Sequence, residues 1–520
     1  MTKLNDVNTT DIHDAISLGC RTMCSVFNAD DNDIPFFGSL VRPDAKLTFA
    51  SYASESHVPG RHLNALLNAE DAIGIELDED AIEKHANAAF YSYSGPIPLP
   101  LNRETIDGEL KNCIAHNIRE GFHALYALAK YRQSEQACRL AEDSIAAIFE
   151  YWAPSHAWDR ERIEGMGLRA PGDAFVTGLA RAIGPLVKYY EATGYGPALD
   201  LAIVLKEKTI NGVFTEEGGY DPAIFATHTH STTCIMSSLA QLADLTSDST
   251  LMNRVKAFYD NGLWDIRDAL GWVIESSRED ASPDNGEVNN TGDIVETALI
   301  LGSWGYTDYY GDVERILRGH LLPSQLRDIS FIEEPPNPEG EDGKRDVANR
   351  HQGAFGFPAP YGHQAVETSH VSFNMDIVGG AVGSLCEVYR EATRFDCAGH
   401  WVNLLFDHET DAINVQSPYT ESALRIRTKY PAPLFVRIPS WVDPASITVE
   451  GTSESPTHTN GYLFIAEPPV NRVLSFKFAI PEQEIQLKHR TREIRTRLRG
   501  DAVVAMQNFG ADLTFFDPID

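Results

Sequence analysis

The sequence lacks any paired cysteine motif. Its seven cysteines are scattered along 520 residues, are odd in number, and include no CxxC pair. This distribution matches neither a disulfide framework nor a zinc signature. We therefore interpret the cysteines as small buried hydrophobic residues.

The sequence also lacks a long apolar run. No stretch approaches the roughly 18 uninterrupted apolar residues of a membrane span. The start, MTKLNDVNTTDIHDAISLG, has neither a basic region followed by an apolar core nor a small-residue cleavage site. We expect no membrane partner and a cytoplasmic location, unless a leader has been removed.

Basic residues are few compared with acidic ones. There are 43 Lys and Arg against 75 Asp and Glu, which gives a formal net charge of -32. A surface this negative repels phosphate backbones, so nucleic acid is not an expected partner. A polyanionic substrate stays open, because a local cluster of Arg can reverse the field inside one pocket.

Several motifs of well-known chemistries are missing. The sequence has no GxGxxG after a strand, no phosphate-binding loop, no GxSxG and no HExxH. These absences argue against nucleotide binding, phosphoryl transfer and serine-hydrolase chemistry.

Helical periodicity dominates from about residue 60 to 395. In IAHNIREGFHALYALAKYR, Ile118, Phe122, Leu125 and Leu128 recur at three- and four-residue spacing. Such segments, joined by loops rich in polar and aromatic residues, predict a toroid of paired helices. A superhelical repeat array is the alternative, but no fixed-period repeat is present.

The pattern changes near residue 398. Runs such as HWVNLLF, ALRIRTKY and LFVRIPSW are short, rich in β-branched and aromatic residues, and separated by turn signals. They predict a β-sandwich over 398–485 after a helical domain over 1–397. The tail, 486–520, either packs back on the helical domain or extends the β region.

Two clusters of polar residues precede predicted helices. His228 and His230 stand before one helix, where they suit hydrogen bonds to sugar hydroxyls; surface or capping histidines are the alternative. Asp293-Ile-Val-Glu296 has the form of a capping box, which predicts that Asp293 caps a helix. Glu275 and Glu287 have no such structural explanation, and we expect Glu287 to face the site.

Further candidates lie in loops. Glu367 and His370 have the spacing of a base and its orienting partner before another helix. The Pro/Gly-rich segment 331–364 is too long for a simple connection, so we expect Tyr361 and its neighbours to line a site. Trp272 is a candidate for stacking on a sugar ring.

Taken together, these stretches resemble the β-L-arabinofuranosidase-like glycoside hydrolases (families 127 and 146). The matching stretches are THTHSTTCIMSSLAQLADLTSD, GEVNNTGDIVETALIL and, in the β region, LFVRIPSWV. The resemblance implies an (α/α)6 barrel followed by a β-sandwich, with cleavage of a glycosidic bond at the mouth of the barrel. It also implies that His228 or His230 contacts sugar, and that Glu287 occupies the position of a metal-binding Glu.

The sequence departs from that family at its thiolates. The family's E-x-C element corresponds to Glu287-Val-Asn289, and its Cys-Cys pair falls near Phe373-Asn374. A soft zinc site cannot form without thiolates. We therefore predict no zinc, no cofactor and no assigned metal ligand, although loop carboxylates leave calcium open.

The leading hypothesis is a glycosidase that acts on an oligosaccharide through carboxylates. The candidate catalytic residues are Glu275, Glu287 and Asp293. The candidate substrate-binding residues are His228, His230, His116, Arg119, Glu367, His370, Tyr361 and Trp272.

Three alternatives stay open. The first is a lyase that acts on a uronate with a His or Tyr base and Arg to neutralise the acid, drawing on His116, Arg119, Arg350 and Tyr361 as well as the two histidines above. The others are a non-catalytic sugar-binding protein and a sugar epimerase. A homodimer is also left open.

Overall fold

The structure is a computed structural model that describes residues 2–366 and 368–519. Its helices are α1 Ile12–Met23, α2 His57–Ile73, α3 Glu79–Ser92, α4 Asn117–Arg132, α5 Glu135–Tyr151, α6 Arg160–Gly165, α7 Ile183–Thr193, α8 Gly196–Ile210, α9 Pro222–Phe225, α10 Thr229–Thr246, α11 Ser249–Asp260, α12 Val288–Ser303, α13 Asp308–Ile316, α14 Val347–His351 and α15 Met375–Ala392. Within the described ranges, none of these helices could cross a bilayer.

The strands precede, interrupt and follow this helical region. They are β1 Phe27–Asn28, β2 Ile34–Pro35, β3 Gly38–Arg42, β4 Lys46–Thr48, β5 Leu101–Arg103, β6 Leu110–Cys113, β7 Val371–Asn374, β8 Thr393–Asp396, β9 Gly399–Val402, β10 His408–Glu409, β11 Ile413–Gln416, β12 Leu424–Thr428, β13 Leu434–Arg437, β14 Thr448–Glu450, β15 Thr457–Thr459, β16 Tyr462–Ile465, β17 Leu474–Lys477, β18 Glu482–Lys488, β19 Glu493–Arg499, β20 Ala502–Met506 and β21 Asp517–Pro518.

The long helices form two concentric rings. Helices α2, α4, α7, α10, α12 and α15 each pack on the next, and α15 packs on α2, so this inner ring is closed. The outer helices α1, α3, α5, α8, α11 and α13 alternate with them along the chain. This is the predicted (α/α)6 barrel, which is confirmed. Because each inner helix pairs with antiparallel outer ones, all six inner helices run in one direction.

The apolar periodicity of the sequence appears as buried faces. Ile118, Phe122, Leu125 and Leu128 of α4 are all buried, as the three- and four-residue spacing predicts. Glycine lets the inner helices approach closely. A Cβ at Gly60 of α2 would overlap the backbone carbonyl of α4.

The outer and inner helices differ in how they begin. Four outer helices have an N-cap side chain that accepts a backbone N–H bond, namely Asp11, Asp78, Ser134 and Asp248. In the described part of the chain, none of the six inner helices has such a side-chain cap. The side chains at the starts of the inner helices are therefore not engaged in capping.

The sandwich follows α15 directly. Its two five-stranded sheets have the orders β10-β11-β12-β17-β14 and β15-β16-β13-β9-β8, and β13 pairs with β9 in parallel. Alternate residues such as Leu424 and Ile426 point into a core that both sheets share. The predicted β-sandwich is confirmed, and its first strand starts at Thr393, ahead of residue 398.

The tail forms a further sheet, β18-β19-β20-β21. Its apolar residues, including Leu487, Ile494, Phe515 and Phe516, join the core of the barrel. The tail thus adds strands and also packs on the barrel. The domain boundaries themselves stay a prediction.

Candidate active site

A cleft of about 350 Å³ opens at the end of the barrel where the inner helices begin. This is the size of a small-molecule site. Its lining residues are Phe37, Tyr52, His57, His116, Thr177, Arg181, His228, His230, Glu275, Glu287, Phe357, Asn374, Asp376 and Ile377.

The inner helices deliver most of these residues from their first turns. His116, His228, Glu287 and Asn374 occupy the N-cap positions of α4, α10, α12 and α15. His57 is the first residue of α2. Because the helices are parallel, their starts meet at one mouth, and the side chains that could have capped the helices line the cleft instead.

Glu287 is a buried carboxylate with several donors around it. Asn289 Nδ2 donates to its Oε1 at 2.8 Å, and His230 Nδ1 and His228 Nε2 lie 3.4 and 3.6 Å from its two oxygens. Burial raises the pKa of Glu287, but the contacts with His228 and Asn289 outweigh it and hold the pKa below the usual value. Glu287 is therefore ionised at neutral pH.

Glu275 lies in the same cleft and behaves oppositely. Burial, followed by the negative charge of Glu287, raises its pKa. The two carboxyl groups share a cleft, and their environments push their pKa values apart. Such a divergence is how one site obtains both an acid and a base.

A second buried carboxylate faces the cleft beside His57. His57 Nε2 lies 3.1 Å from Asp376 Oδ2, while its Nδ1 lies 2.9 Å from Asn117 Oδ1. Arg61 Nε is 3.5 Å from the same Asp376 oxygen. Burial opposes the charge on Asp376, but His57 and Arg61 hold its pKa below the usual value. Sequence reasoning missed this pair, whose only signal is that both residues start inner helices.

Below the cleft, one buried carboxylate is shared by three arginines. Glu120 Oε1 lies 2.9 Å from Arg119, 3.2 Å from Arg61 and 3.5 Å from Arg181. Burial opposes ionisation of Glu120, but the positive charges of Arg119 and Arg61 hold its pKa well below the usual value. Arg119, predicted to bind substrate, therefore lies in the wall behind the cleft, while Arg181 lines it.

Asp293 is not a helix cap, because α12 begins at Val288, earlier than the capping-box pattern implies. Asp293 lies inside the helix, where Thr233 Oγ1 donates to it at 2.8 Å and His230 Nε2 is 3.5 Å away. Burial raises its pKa to about 7. It does not line the cleft, so its predicted catalytic role would be indirect, through His230.

The loop candidates lie away from the cleft. Tyr361 is buried and donates to Asp284 at 2.7 Å, and Trp272 Nε1 donates to the Pro358 carbonyl at 2.9 Å. His370 is exposed. None of the three lines the cleft, because their segments pack against the barrel wall or face solvent. Glu367 lies outside the described residues. From the long segment 331–364, Phe357 lines the cleft.

Comparison with solved structures agrees with this architecture. A GH127 β-arabinofuranosidase superposes with a TM-score of 0.59 at 12% identity, covering 95% of this chain and 78% of that one. The GH127 β-L-arabinofuranosidase Ara127N of Geobacillus stearothermophilus T6 gives a TM-score of 0.58 at 14% identity, with 94% and 80% covered. The chain has the GH127 fold. The resemblance seen in the sequence is confirmed at this level; no family model and no curated protein matches.

The residues present do not fit the zinc that the GH127 resemblance implies. The resemblance places the family's thiolates at Asn289 and near Phe373-Asn374, where this sequence has no cysteine, and no cysteine lines the described cleft. Ligand atoms of His228, His230 and Glu287 do lie within 4.8 Å of one another.

However, a guanidinium nitrogen lies 3.4 Å from each ring nitrogen of His230, one from Arg61 and one from Arg181. A cation bound there would have to compete with two positive charges.

Proposed function

We propose that this protein is a glycoside hydrolase in which Glu275 is the proton donor and Glu287 is the ionised carboxylate. The supporting observation is the opposed pKa shift of these two residues in one cleft. Glycosidases need one carboxylic acid and one carboxylate on either side of the scissile bond. The GH127 fold makes sugar chemistry the first class to test.

In this proposal Glu275 protonates the glycosidic oxygen as the bond to the anomeric carbon breaks. In the same step Glu287 either attacks the anomeric carbon, forming a glycosyl-enzyme that water later hydrolyses with Glu275 as the base, or removes a proton from a water molecule that attacks that carbon. Asn289 and His228 keep Glu287 charged and oriented. The aromatic rings of Phe37, Tyr52 and Phe357 line the same cleft and offer apolar faces to a sugar ring.

Asp376 and His57 complete the polar lining. Asp376 Oδ1 is buried and makes no hydrogen bond with any described residue, although buried carboxylate oxygens are normally bonded. We assign it to accept hydrogen bonds from sugar hydroxyls.

The second candidate is a lyase, and one observation favours it. Burial, with the charges of His57 and Arg181, holds the pKa of His116 well below its usual value. A neutral imidazole beside an arginine could remove the proton next to a uronate carboxylate. The product would then carry a carbon–carbon double bond.

The deciding experiment is incubation with a panel of plant and algal oligosaccharides, following reducing ends and near-ultraviolet absorbance together. New reducing ends without absorbance, lost in Glu275→Gln and Glu287→Gln, support the hydrolase. Absorbance that persists in Glu287→Gln but is lost in His116→Ala supports the lyase. No product in either channel overturns both. Glu387→Gln, at the opposite mouth of the barrel, is the matched control.

A further inference from the structure

Arg181 is a buried cation in the wall of the cleft. Only 2% of the residue is exposed, yet it lines the cleft beside His116 and Thr177. One guanidinium nitrogen, Nη2, lies 3.5 Å from Glu120 and 3.4 Å from His230 Nδ1. Its Nε is buried and makes no hydrogen bond with any described residue.

Among the described residues, Arg181 has fewer carboxylate partners than the two arginines next to it. Glu120 is its only ion-pair partner in the described chain, and that carboxylate is shared with Arg61 and Arg119 at shorter distances. Arg61 also contacts Asp376 at 3.5 Å, and Arg119 approaches Asp293 at 4.0 Å. In the part of the chain that the structure describes, Arg181 is thus the one of the three without a second carboxylate. A buried arginine with unused donors is costly unless a ligand completes its bonds.

The location of Arg181 suits an anionic group on the ligand. All six inner helices direct their N-termini, the positive ends of their dipoles, at this mouth. Glu287 is the N-cap residue of α12 and Glu275 lies in the segment before it, whereas Arg181 precedes α7. The cleft therefore offers a basic group and an acidic pair from different segments of its lining.

We propose that Arg181 binds the carboxylate of a uronic acid residue, so that the substrate of this cleft is an acidic sugar. The inference rests on the proposed function for its assumption that the ligand is a sugar, and it holds for the hydrolase and the lyase alike. The Nε of Arg181, which has no hydrogen-bond partner among the described residues, suits a carboxylate ligand, because a hydrogen bond between a guanidinium and a carboxylate is charge-assisted. A cleft of about 350 Å³ has room for the ring that carries it.

The test is calorimetric titration of the full chain with matched sugars: D-glucuronate against D-glucose, and D-galacturonate against D-galactose. We expect at least one uronate to bind about tenfold or more tightly than its neutral partner, and the preference to weaken as salt is raised. Arg181→Met should remove the preference. Arg181→Lys, which keeps the charge but loses the planar fork, should retain part of it.

Arg139→Met, on the exposed side of α5, controls for loss of a positive charge elsewhere. Circular dichroism checks that each variant is folded. If Arg181→Met does not fold, the uronate preference of Arg181→Lys and the salt dependence of the wild type decide the matter. Equal binding of neutral and acidic partners, or no binding of any uronate at the highest soluble concentration, overturns the inference. Turnover of neutral glycosides would overturn it while leaving the hydrolase intact. Uronate binding without any turnover would support this inference and overturn the proposed hydrolase.

Discussion

The two mouths of the barrel are built from the same six helices but carry different polar groups. The mouth where the inner helices begin holds buried charges, among them Arg181, Glu287 and Asp376. The mouth where they end has a cavity of about 430 Å³, but charged groups such as Glu191, Asp244 and Arg390 there are exposed or half-buried. Solvated charges cost little, whereas buried ones must be stabilised by partners or by a ligand.

The comparison shows where the fold lacks the stabilisation that helix capping provides. Most outer helices are capped by their own side chains, but the inner helices place histidine, glutamate and asparagine at the same positions without a capping bond. A lost N-cap costs about 1 kcal/mol. Natural proteins break such local rules mainly at functional sites, which supports our proposal that the site lies at the mouth where the inner helices begin.

The largest expected effect concerns the acid and base of the proposed hydrolase. Glu287 has a lowered pKa and Glu275 a raised one, so activity should fall at acid pH as Glu287 gains a proton and at higher pH as Glu275 loses one. We expect Glu275→Gln to reduce kcat/KM by about 10²–10⁴-fold and to abolish the alkaline limb. A kcat/KM profile against pH measures both. An alkaline limb that survives in Glu275→Gln would assign the proton donor elsewhere.

The next effect concerns stability at the working mouth. Glu120→Gln leaves three guanidinium groups around a neutral amide, so we expect a loss of about 3–5 kcal/mol in the free energy of unfolding. Glu387→Gln, at the opposite mouth and paired with Arg390 at 3.3 Å, should cost less than about 0.5 kcal/mol. Denaturant titration of both variants gives the values. Equal losses would remove the distinction between the mouths.

A smaller effect depends on pH. The pKa of Asp293 rises from 3.8 to about 7 on folding, so the folded state binds this proton more tightly than the unfolded state. Stability should therefore fall as pH rises through this window, by at most about 4 kcal/mol from this residue. Asp293→Asn should flatten the decline in melting temperature between pH 4 and about 7. An unchanged slope in the variant would contradict the assignment.

The smallest expected effect is that of metal. Because two guanidinium groups flank His230, we expect neither added zinc nor a chelator to change the melting temperature or the activity. Ligands that bind the native state raise its melting temperature. A rise with zinc that disappears in His228→Ala would instead establish a metal site at His228, His230 and Glu287.

The site could be predicted from the sequence only in part. His228, His230, Glu275 and Glu287 were found because polar residues stood ahead of apolar helical runs. Asp293 was misplaced because a capping-box pattern lies inside α12, where tertiary packing extends the helix back to Val288. Propensity and capping motifs are weak compared with such packing.

The sequence by itself determined the periodicity of the helices, the change to β structure near residue 398 and the absence of thiolates beside Glu287. These are local properties, read within a window of several residues. Only the tertiary structure decided that His57, Arg181, Glu287 and Asp376 meet, because they come from helices far apart in the chain. Closure of the ring brings the starts of parallel helices to one mouth, and no local pattern records which residues then become neighbours.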